Sequence, residues 1–363
     1  MSDAGAELVS VIIPAYNARA TIAQTLRSAQ LQRYPALEII VVDDGSQDGT
    51  DAIVADMARD DPRVTLIRQA NAGVAAARNA GLTATRGQLI APLDADDLWH
   101  RDKIAEQIRC LSRCARGTGL VYCWSADIDE QGMVIRYGID RSEGQVYAPL
   151  VLANFVGNSS VPLMRRELVD GVGGWDTSLR EADAQGCEDW LLYLKLAERS
   201  LFALAPAVLV GYRQTAGAMS RNVPRMRRSY SRVMRAARDA HPELPNILFR
   251  WSRAEFDFYC AQLCWSTRDH SLAAFYGLRA LGREPSLFHR VSAKNLLLEA
   301  TRRIAGNARW RRGAGAQREG PQRSKPVPFD ALVQNAELRS SEAAHFAARR
   351  RYVEAIRVSQ LAH

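Results

Sequence analysis

The chain has 363 residues, of which 47% are hydrophobic and 24% charged, so it is long enough to bury a substantial core. No apolar run approaches the roughly 18 residues of a membrane-spanning helix, and the acidic stretch 1–7 is unlike a signal peptide. These features argue against membrane-spanning and secreted proteins. They predict a cytoplasmic protein with one main domain and an appendage.

The net charge of +8 is divided unevenly along the chain. Residues 1–220 carry 21 Lys and Arg against 28 Asp and Glu, a net charge of −7. Residues 221–363 carry 27 against 12, a net charge of +15. The sequence therefore predicts an acidic main domain followed by a basic tail.

The six cysteines include no Cys-x-x-Cys pair. Two pairs have a spacing of four residues within helical patterns, which is poor for a zinc site without nearby histidines. We therefore predict free thiols that serve as small core residues. The six positions are Cys110, Cys114, Cys123, Cys187, Cys260 and Cys264.

Strands alternate with helices through the first hundred residues. Nearly continuous apolar runs predict strands that are buried on both faces, at 8–14, 37–42, 64–67 and 89–93. The segments between them have helical periodicity, and Thr50 is the predicted N-cap of the second helix. This alternation predicts an α/β fold with a doubly wound, mostly parallel sheet flanked by helices.

Acidic clusters follow two of the predicted strands. Asp43 and Asp44 end the second strand, and Asp94, Asp96 and Asp97 follow the fourth. Carboxyl ends of parallel strands share one edge of a sheet, so both clusters are expected to face one crevice. Crowded carboxylates repel one another unless a cation offsets their charge, which favours Mg²⁺ or Mn²⁺. The alternative is an Asp-rich turn in which Asp97 caps a helix beginning near residue 101.

The glycine-rich loops of Rossmann dehydrogenases and P-loop enzymes are both absent from the sequence. A nucleotide site in this chain would instead be acidic and dependent on a metal ion.

The chain resembles glycosyltransferase family 2 in four motifs that occur in the family's order. They are Val11-Ile12-Ile13-Pro14-Ala15-Tyr16-Asn17, Val42-Asp43-Asp44-Gly45-Ser46, Asn71-x-Gly73-x4-Arg78-Asn79 and Leu93-Asp94-Ala95-Asp96-Asp97. Further matches are Asn158-Ser159-Ser160, Arg165-Arg166, Gly173-Gly174-Trp175-Asp176 and Glu188-Asp189-Trp190. Each motif alone is weak evidence, whereas their order and spacing over residues 8–222 are specific.

The resemblance implies a GT-A fold, a nucleotide-sugar donor, a divalent metal and inversion at the anomeric carbon. By position in the motifs, Asp44, with Asp43 beside it, is expected to hydrogen-bond the nucleobase and ribose. Pro14 and Tyr16 are expected to line the base pocket, and Arg78 to belong to the same nucleotide pocket.

The resemblance also assigns the metal and the base. Asp94 and Asp96 match the Asp-x-Asp motif, with Asp96 the favoured direct ligand of Mn²⁺ or Mg²⁺. Glu188 and Asp189 precede an apolar helix, so each could simply satisfy N–H groups at a helix N-terminus. Family position favours Asp189 as the catalytic base, with Glu188 as a positioning residue or an alternative base.

This chain departs from the family pattern at two places. Residues 180–187 are an insertion in a loop that is expected near the acceptor. Thr215 stands where the family often has a histidine, which puts a histidine contribution to the metal or diphosphate in doubt.

The basic tail predicts a different kind of structure. Arginines in 221–238 alternate with apolar residues, as in a basic amphipathic helix, and 254–281 has the pattern of a helical pair. The stretch 302–323 is basic and glycine-rich, and we predict a flexible segment near 305–328 and a last helix over 329–361. The predicted domains are thus a catalytic domain at 1–222 and a mainly α-helical region at 223–363.

Clustered arginines are attracted to anionic lipid, each contributing about 1 kcal/mol near the surface, so we expect peripheral contact with the inner face of the membrane. A merely solvated face is the alternative. Nucleic-acid binding is disfavoured, because no stacking aromatics form a recognisable module.

The sequence therefore predicts an inverting, metal-dependent glycosyltransferase that uses a nucleoside-diphosphate sugar, with UDP favoured over GDP or dTDP. The expected acceptor is a hydroxyl of a glycan or lipid-linked glycan in cell-surface polysaccharide biosynthesis. A sugar-nucleotide pyrophosphorylase and a non-catalytic glycan- or membrane-binding protein on a degenerate site are the alternatives.

Overall fold

The computed structural model describes residues 7–215, 219–289 and 328–329. Within this part, the chain divides into two compact units. The first unit holds residues 7–147, 155–215 and 328–329, and the second holds 148–154 and 219–289. The predicted boundary at residue 222 and the assignment of a catalytic domain to 1–222 stay predictions.

The first unit is built on a mixed sheet. Its strands are β1 Val9–Ala15, β2 Leu37–Asp43, β3 Val64–Arg68, β4 Leu89–Pro92, β5 Leu98–Trp99, β6 Thr118–Ile128, β7 Val134–Gly138, β8 Leu163–Arg165 and β9 Leu201–Arg213. They lie in the order β3-β2-β1-β4-β8-β6-β9-β5, with β7 paired to β6. β3, β2, β1 and β4 are parallel, as are β6 and β9, whereas β8 is antiparallel to both of its neighbours.

The central strands are those that the sequence predicted. Every residue of β1 and β2 is buried, which explains why their apolar runs do not alternate. β1 lies between β2 and β4, so the chain order reverses at this strand. In open α/β sheets such a reversal opens a crevice at the carboxyl ends of the strands.

Helices flank the sheet and continue into the second unit. They are α1 Ile22–Gln30, α2 Thr50–Asp60, α3 Val74–Ala84, α4 Lys103–Leu111, α5 Tyr147–Leu152, α6 Arg166–Gly171, α7 Ser178–Glu181, α8 Glu188–Ala197, α9 Val223–Ala240, α10 Asn246–Ser266 and α11 His270–Arg283. The α/β class with an α-helical C-terminal extension is confirmed.

Close packing fixes the position of α3 on the sheet. A Cβ atom added to Gly81 would lie 2.5 Å from Cγ2 of Ile12 in β1, so only glycine allows this approach. One turn earlier, α3 carries Arg78. The contact at Gly81 therefore sets how far the Arg78 side chain reaches over the ends of the strands.

The sequence predicted Thr50 as the N-cap of α2, and this prediction is wrong. Thr50 is already the first helical residue, and Gly49 in the left-handed region (φ 88°) is the cap. Oδ1 of Asp48 accepts hydrogen bonds from the Thr50 backbone N–H (3.0 Å) and hydroxyl (2.6 Å). The acidic side chain two residues earlier thus takes the capping role, and the Thr50 hydroxyl accepts from the Ala18 N–H (2.9 Å).

The second unit contains the predicted basic helix and helical pair. The buried side chains of α9 include Met226, Tyr230, Val233 and Met234, and Tyr230 stacks on Phe256 of α10 at 4.1 Å between ring centroids. The apolar face of α9 is therefore used within the unit. Of the other tail predictions, the stretch 302–323 and the helix at 329–361 lie outside the described residues, apart from Phe329.

Pro328 and Phe329 belong to the first unit, which the sequence did not predict. Pro328 forms an isolated bridge with Met133, and Phe329 is buried against Ala126 and Ile128 of β6. All six cysteines are free thiols, and four of them are buried. Among the described helices, none combines the length and apolar character that crossing a membrane requires.

Candidate active site

Both acidic clusters lie at the carboxyl edge of the parallel strands. Asp43 ends β2, and Asp94 comes two residues after β4, with β1 between these two strands. The structure thus brings together the clusters that lie some fifty residues apart in sequence, as predicted. Three sets of contacts organise this edge: a loop held by Asp44, a bridge made by Arg78 and a turn held by Arg213.

Asp44 holds the loop that precedes α3. Its buried carboxylate accepts hydrogen bonds from Gln69 Nε2 (2.7 Å) and from the backbone N–H groups of Ala72 and Gly73 (2.8 Å each). A carboxylate has about four acceptor positions, so about one remains for a ligand. Asp44 therefore shapes the loop as well as offering an acceptor to the crevice.

The other predicted nucleotide-pocket residues lie around the ends of β1 and β2. Pro14 is buried within β1, whereas Tyr16 follows the strand with 55% of its surface exposed. Oδ1 of Asp43 accepts from the Ser46 N–H (3.3 Å), and the Ser46 hydroxyl accepts from the Asn17 N–H (2.9 Å). The loops after β1 and β2 are thus joined, and they leave the Tyr16 ring accessible.

Arg78 bridges two carboxylates from distant parts of the chain. Its NH2 donates to Asp94 Oδ1 (2.6 Å) and its NH1 to Asp189 Oδ1 (2.9 Å), while only 4% of its side chain is exposed. Burial alone would lower the pKa of Arg78, but Asp189 and Asp94 raise it above its usual value. The guanidinium therefore stays charged and holds the ends of β4 and α8 together.

Asp189 receives a second hydrogen bond, from Trp175. The indole Nε1 donates to the same Oδ1 atom at 3.1 Å, and Trp175 is fixed in turn by Asn79 of α3, whose amide bonds its backbone N–H and C=O. Burial raises the pKa of Asp189, although Arg78 acts in the opposite direction. The result is an oriented carboxylate that binds a proton more readily than an exposed aspartate does.

Glu188 hydrogen-bonds the backbone before α8. Its Oε2 accepts from the backbone N–H of Gly186 (2.7 Å), which closes the turn before α8. Burial raises the pKa of Glu188. The two adjacent carboxylates therefore differ in what they contact: Asp189 meets Arg78 and Trp175, whereas Glu188 meets the backbone before the helix.

The turn 94–97 is held from several sides by buried groups. Arg213, at the end of β9, donates from Nε to the backbone O of Asp96 (2.8 Å) and from its own N–H to Asp97 Oδ1 (2.9 Å). The hydroxyl of Thr25 donates to the backbone O of Ala95 and of Asp97. The turn is thus fixed by its backbone, which leaves the Asp96 side chain available.

Asp97 does not cap α4, contrary to the alternative interpretation of the sequence. It is fully buried, and its Oδ2 accepts from Ser160 Oγ (2.5 Å) and from Asn158 Nδ2. The helix begins at Lys103 with Asp102 as its cap. Burial and the charges of Asp96 and Asp94 raise the pKa of Asp97 well above its usual value, so Asp97 is a structural acid behind the turn.

The side chain of Asp96 fits a divalent cation. No other residue of the described ranges donates a hydrogen bond to it, and burial followed by the charge of Asp94 raises its pKa to about 6. A cation would relieve both costs. Asp94 and Asp96 offer two carboxylates, a number that suits a Mg²⁺ or Mn²⁺ shared with substrate phosphates. The described ranges contain no cluster of three or more His, Cys, Asp or Glu suited to a metal.

The inserted segment 180–187 contacts the loop held by Asp44. Arg180 donates from NH2 to Asn71 Oδ1 (2.7 Å), and its Cδ would lie 2.8 Å from a Cβ at Gly73. Gly73 has a φ of 91°, so both the conformation and the space require glycine. The first residue of the insertion is therefore part of the crevice wall beside Asp44.

Sequence reasoning assigned no role to Arg213, Trp175 or Ser160, although each stood within or beside a quoted motif. The available signal was a polar or aromatic residue inside a buried stretch, as with Arg213 at the end of an apolar strand. Thr215 is also described, two residues beyond this arginine.

Comparison with known proteins agrees with this architecture. The family model described as Glycosyl transferase family 2 matches residues 10–141. TuaG of Bacillus subtilis (strain 168), named for teichuronic acid biosynthesis, is 43% identical over 102 residues, which cover 28% of this chain and 40% of TuaG. This chain thus spans less than half the length of that relative.

Two other similar proteins are matched over more of their length. The mannosyltransferase PcManGT from Pyrobaculum calidifontis, in complex with GDP-Man and Mn²⁺, superimposes with a TM-score of 0.51 at 21% identity over 84% of this chain and 87% of its own. This likeness concerns the fold, and the predicted GT-A type is confirmed. The UDP-Glc:alpha-D-GlcNAc-diphosphoundecaprenol beta-1,3-glucosyltransferase WfaP of Escherichia coli is 32% identical over 219 residues, 60% of this chain and 81% of WfaP. With an identity of this level over most of a relative's length, the chain belongs to glycosyltransferase family 2.

Proposed function

We propose that the protein transfers a sugar from a nucleoside-diphosphate donor to a hydroxyl of a glycan or lipid-linked glycan, with inversion at the anomeric carbon. The observation that carries this proposal is the Arg78 bridge. It holds the Asp94 carboxylate of the acidic turn and the Asp189 carboxylate of α8 on the two nitrogens of one guanidinium. In this proposal, Asp94 near the donor diphosphate and the candidate base Asp189 are close enough to act on the same donor sugar.

In this proposal, Asp189 is the base. The acceptor hydroxyl gives its proton to Asp189 as its oxygen bonds the anomeric carbon, and the bond to the diphosphate oxygen breaks with its electron pair. Arg78 and Trp175 both donate to Oδ1 of Asp189 and Ser159 adds a third interaction, so about one of the four acceptor positions of the carboxylate remains for the proton. The raised pKa of Asp189 also supports this role, because a base works best with a pKa near the working pH.

Asp96 and Asp94 are the proposed ligands of a Mn²⁺ or Mg²⁺ ion. That ion would neutralise the charge developing on the diphosphate. The raised pKa of Asp96 and its lack of other partners within the described residues support its role as the more direct ligand. Glu188 is then a positioning residue that shapes the turn before α8.

Asp43, Asp44, Pro14 and Tyr16 are the proposed wall of the nucleotide pocket. The exposed ring of Tyr16 suits stacking on a base, and the open acceptor position on Asp44 suits a ribose or base N–H or O–H group. Arg78 contributes indirectly, because its two end nitrogens already bond carboxylates.

UDP is the proposed nucleotide, in line with the donor named for WfaP, whereas PcManGT is named with GDP-Man. The proposed process is cell-surface polysaccharide biosynthesis, since WfaP is named for a lipid-diphosphate acceptor and TuaG for teichuronic acid. Membership of family 2 argues against the pyrophosphorylase alternative.

The test is incubation with UDP-, GDP- and dTDP-sugars and Mn²⁺, with release of the nucleotide as the readout. Thermal shift with each donor gives an independent measure, because a ligand that binds only the folded state raises the melting temperature. We expect one donor class to be bound and turned over. If no donor shifts the melting temperature and none is cleaved, with or without acceptor glycans, the proposal fails and the non-catalytic alternative replaces it.

We also propose peripheral attachment to the inner face of the membrane through exposed arginines of 221–238 and through the stretch 302–323. Because the apolar face of α9 is buried within its own unit, attachment would be electrostatic, without helix insertion. The Debye length is about 10 Å at 0.1 M salt, so flotation with anionic vesicles should decrease steeply at higher ionic strength. Equal flotation with neutral vesicles would contradict electrostatic attachment.

A further inference from the structure

The second unit contains a cluster of three arginines around one carboxylate, which we call the arginine cluster. Asp257 of α10 is completely buried, and Arg227 of α9 and Arg283 of α11 donate to its two oxygens, the latter at 2.6 Å. Arg279 of α11 lies with Nε 3.7 Å from Asp257 Oδ2. The four side chains carry a formal charge of +2.

Asp257 does not satisfy these donors. A guanidinium carries five N–H groups, and a distance of 3.7 Å is too long for a hydrogen bond. Arg279 Nε is a buried atom with no hydrogen-bond partner among the described residues. A buried charged donor without a partner is destabilising, so this geometry favours a further acceptor.

The excess charge also acts on the arginines themselves. Burial lowers the pKa of Arg283, and the charges of Arg279, Arg253 and Arg227 lower it further, against the opposing effect of Asp257. An arginine cannot relieve such repulsion by losing its proton within the physiological pH range. A bound anion would offset this repulsion and lower the free energy.

The cluster is shaped so that a ligand can reach it. The side chains of Arg227 and Arg283 are each 26% exposed, and that of Arg279 is 36% exposed. Arg227 lies over the ring of Tyr276 at 4.9 Å and Arg279 over that of Phe275 at 5.3 Å. The rings restrain the planar groups of partly exposed side chains, and such pre-oriented guanidinium groups suit the paired oxygens of a phosphate.

We propose that the arginine cluster is a binding site for a phosphate group, with Arg279 as its main free donor. The inference stands independently of the proposed transferase reaction. Two sources share this chemistry, a free phosphate or diphosphate and the phosphate of a lipid headgroup. The experiment distinguishes them.

The first arm measures inorganic pyrophosphate binding to the full chain by calorimetry in EDTA, so that no metal can hold it at Asp96. Arg279→Gln should weaken binding at least tenfold, because it removes charge-assisted hydrogen bonds to the phosphate. Arg59→Gln, on α2 with a 75% exposed side chain and outside the segments proposed for membrane attachment, is the control with the same loss of charge and should change binding less than twofold. Circular dichroism and Arg279→Lys, which keeps the charge without the planar fork, distinguish lost recognition from lost folding.

The second arm measures flotation with phosphatidylcholine vesicles that contain or lack phosphatidic acid. Flotation that depends on Arg279 but not on Arg59 assigns the site to a lipid headgroup, whereas pyrophosphate binding without it assigns the site to a free phosphate. Either result supports the proposal. It is overturned if neither probe binds, or if Arg279→Gln and Arg59→Gln weaken binding equally.

Asp257→Asn changes the charge of the arginine cluster in the opposite direction from Arg279→Gln. Without its carboxylate the cluster carries a larger excess of positive charge, so the variant should melt at a lower temperature in phosphate-free buffer. Added pyrophosphate should then raise its melting temperature more than it raises that of the wild type. An equal increase in both proteins would show that the ligand does not share a site with Asp257, and the proposal would fail.

Discussion

Arginine and aspartate occur in opposite proportions at two places in this molecule. In the first unit, the single guanidinium of Arg78 lies between the carboxylates of Asp94 and Asp189. In the second, three guanidinium groups surround the single carboxylate of Asp257. The first arrangement is short of positive charge and the second has an excess, so the first suits a cation and the second an anion.

Another buried cation, Lys103, has no carboxylate partner among the residues that the structure describes. Lys103 is completely buried, its Nζ donates to Gln107 Oε1 at 2.8 Å, and it lies 4.1 Å from the centre of the Trp99 ring. Burial lowers its pKa to about 7. A buried lysine can therefore lose its proton and become neutral, whereas an arginine stays charged. An imbalance between positive and negative side chains thus favours binding of a counter-ion at the Arg78 bridge and at the arginine cluster, but not at Lys103.

The largest expected effect concerns the acid-rich site. Asp189→Asn should reduce turnover about 10²- to 10⁴-fold while donor affinity stays within a few fold, because a base acts mainly on the rate. Asp96→Ala should instead abolish metal-dependent donor binding. Rate assays and calorimetry with the donor and Mn²⁺ distinguish the two effects.

Asp56→Asn is the control for these variants, because Asp56 is an exposed acid on α2 that pairs only with Arg59 within the described residues. It should retain wild-type turnover. Wild-type turnover in Asp189→Asn, combined with its loss in Glu188→Gln, would reverse the roles of the two adjacent carboxylates.

The second prediction removes the bridging cation. Arg78→Met leaves Asp94 and Asp189 without their shared partner, and breaking a buried pair in this way typically costs about 3 to 5 kcal/mol. Urea denaturation should show a loss of this size at neutral pH that becomes smaller as the carboxylates are protonated in acid. Arg59→Met, which removes an arginine with a 75% exposed side chain, should change the free energy of unfolding by less than about 0.5 kcal/mol. A similarly small loss in Arg78→Met would show that the bridge is not needed to offset the two charges.

The third prediction concerns the pH dependence that Lys103 creates. Its pKa falls from 10.5 in the unfolded chain to about 7 in the folded one. Between these values the unfolded state binds the additional proton, so this group makes the free energy of unfolding rise with pH from about 7 to 10 and contributes a constant cost below that window. Lys103→Met should flatten the pH profile by a few kcal/mol across this window, measured by urea denaturation at pH 6, 8 and 10. An unchanged slope would mean that Lys103 keeps its usual pKa when folded.

The sequence predicted the site residues that directly follow a strand along the chain. The apolar runs located the strands, and Asp43, Asp44, Asp94 and Asp96 then had to lie at their carboxyl ends. The bridge from Arg78 to Asp189 joins residues 111 positions apart, and no local pattern encodes such a pair.

Local rules gave wrong answers where several polar groups competed. Thr50 has a residue type typical of an N-cap, but the Asp48 carboxylate, two residues earlier, accepts the hydrogen bond from the Thr50 N–H. Asp97 looked like a cap because the sequence does not show that Ser160 and Arg213 converge on it. The net charge of the tail can be counted from the sequence. The contacts of three arginines with Asp257 cannot be predicted in this way, because they depend on how α9, α10 and α11 pack.

The smallest predicted effect tests how the Arg78 bridge is positioned, using two helix glycines that differ in their surroundings. Gly81→Ala should destabilise the protein by about 1 to 3 kcal/mol, because the new methyl group meets Ile12 at 2.5 Å and pushes α3 away from β1. It should also reduce turnover, since Arg78 moves with the helix. Gly282→Ala in α11 has no atom within 4 Å of the new methyl, so it should instead stabilise by up to about 1 kcal/mol through helix propensity alone. Thermal denaturation of both variants measures the contrast, and a stabilising effect at Gly81 would mean that α3 can move off the sheet without disturbing the carboxylates that Arg78 holds.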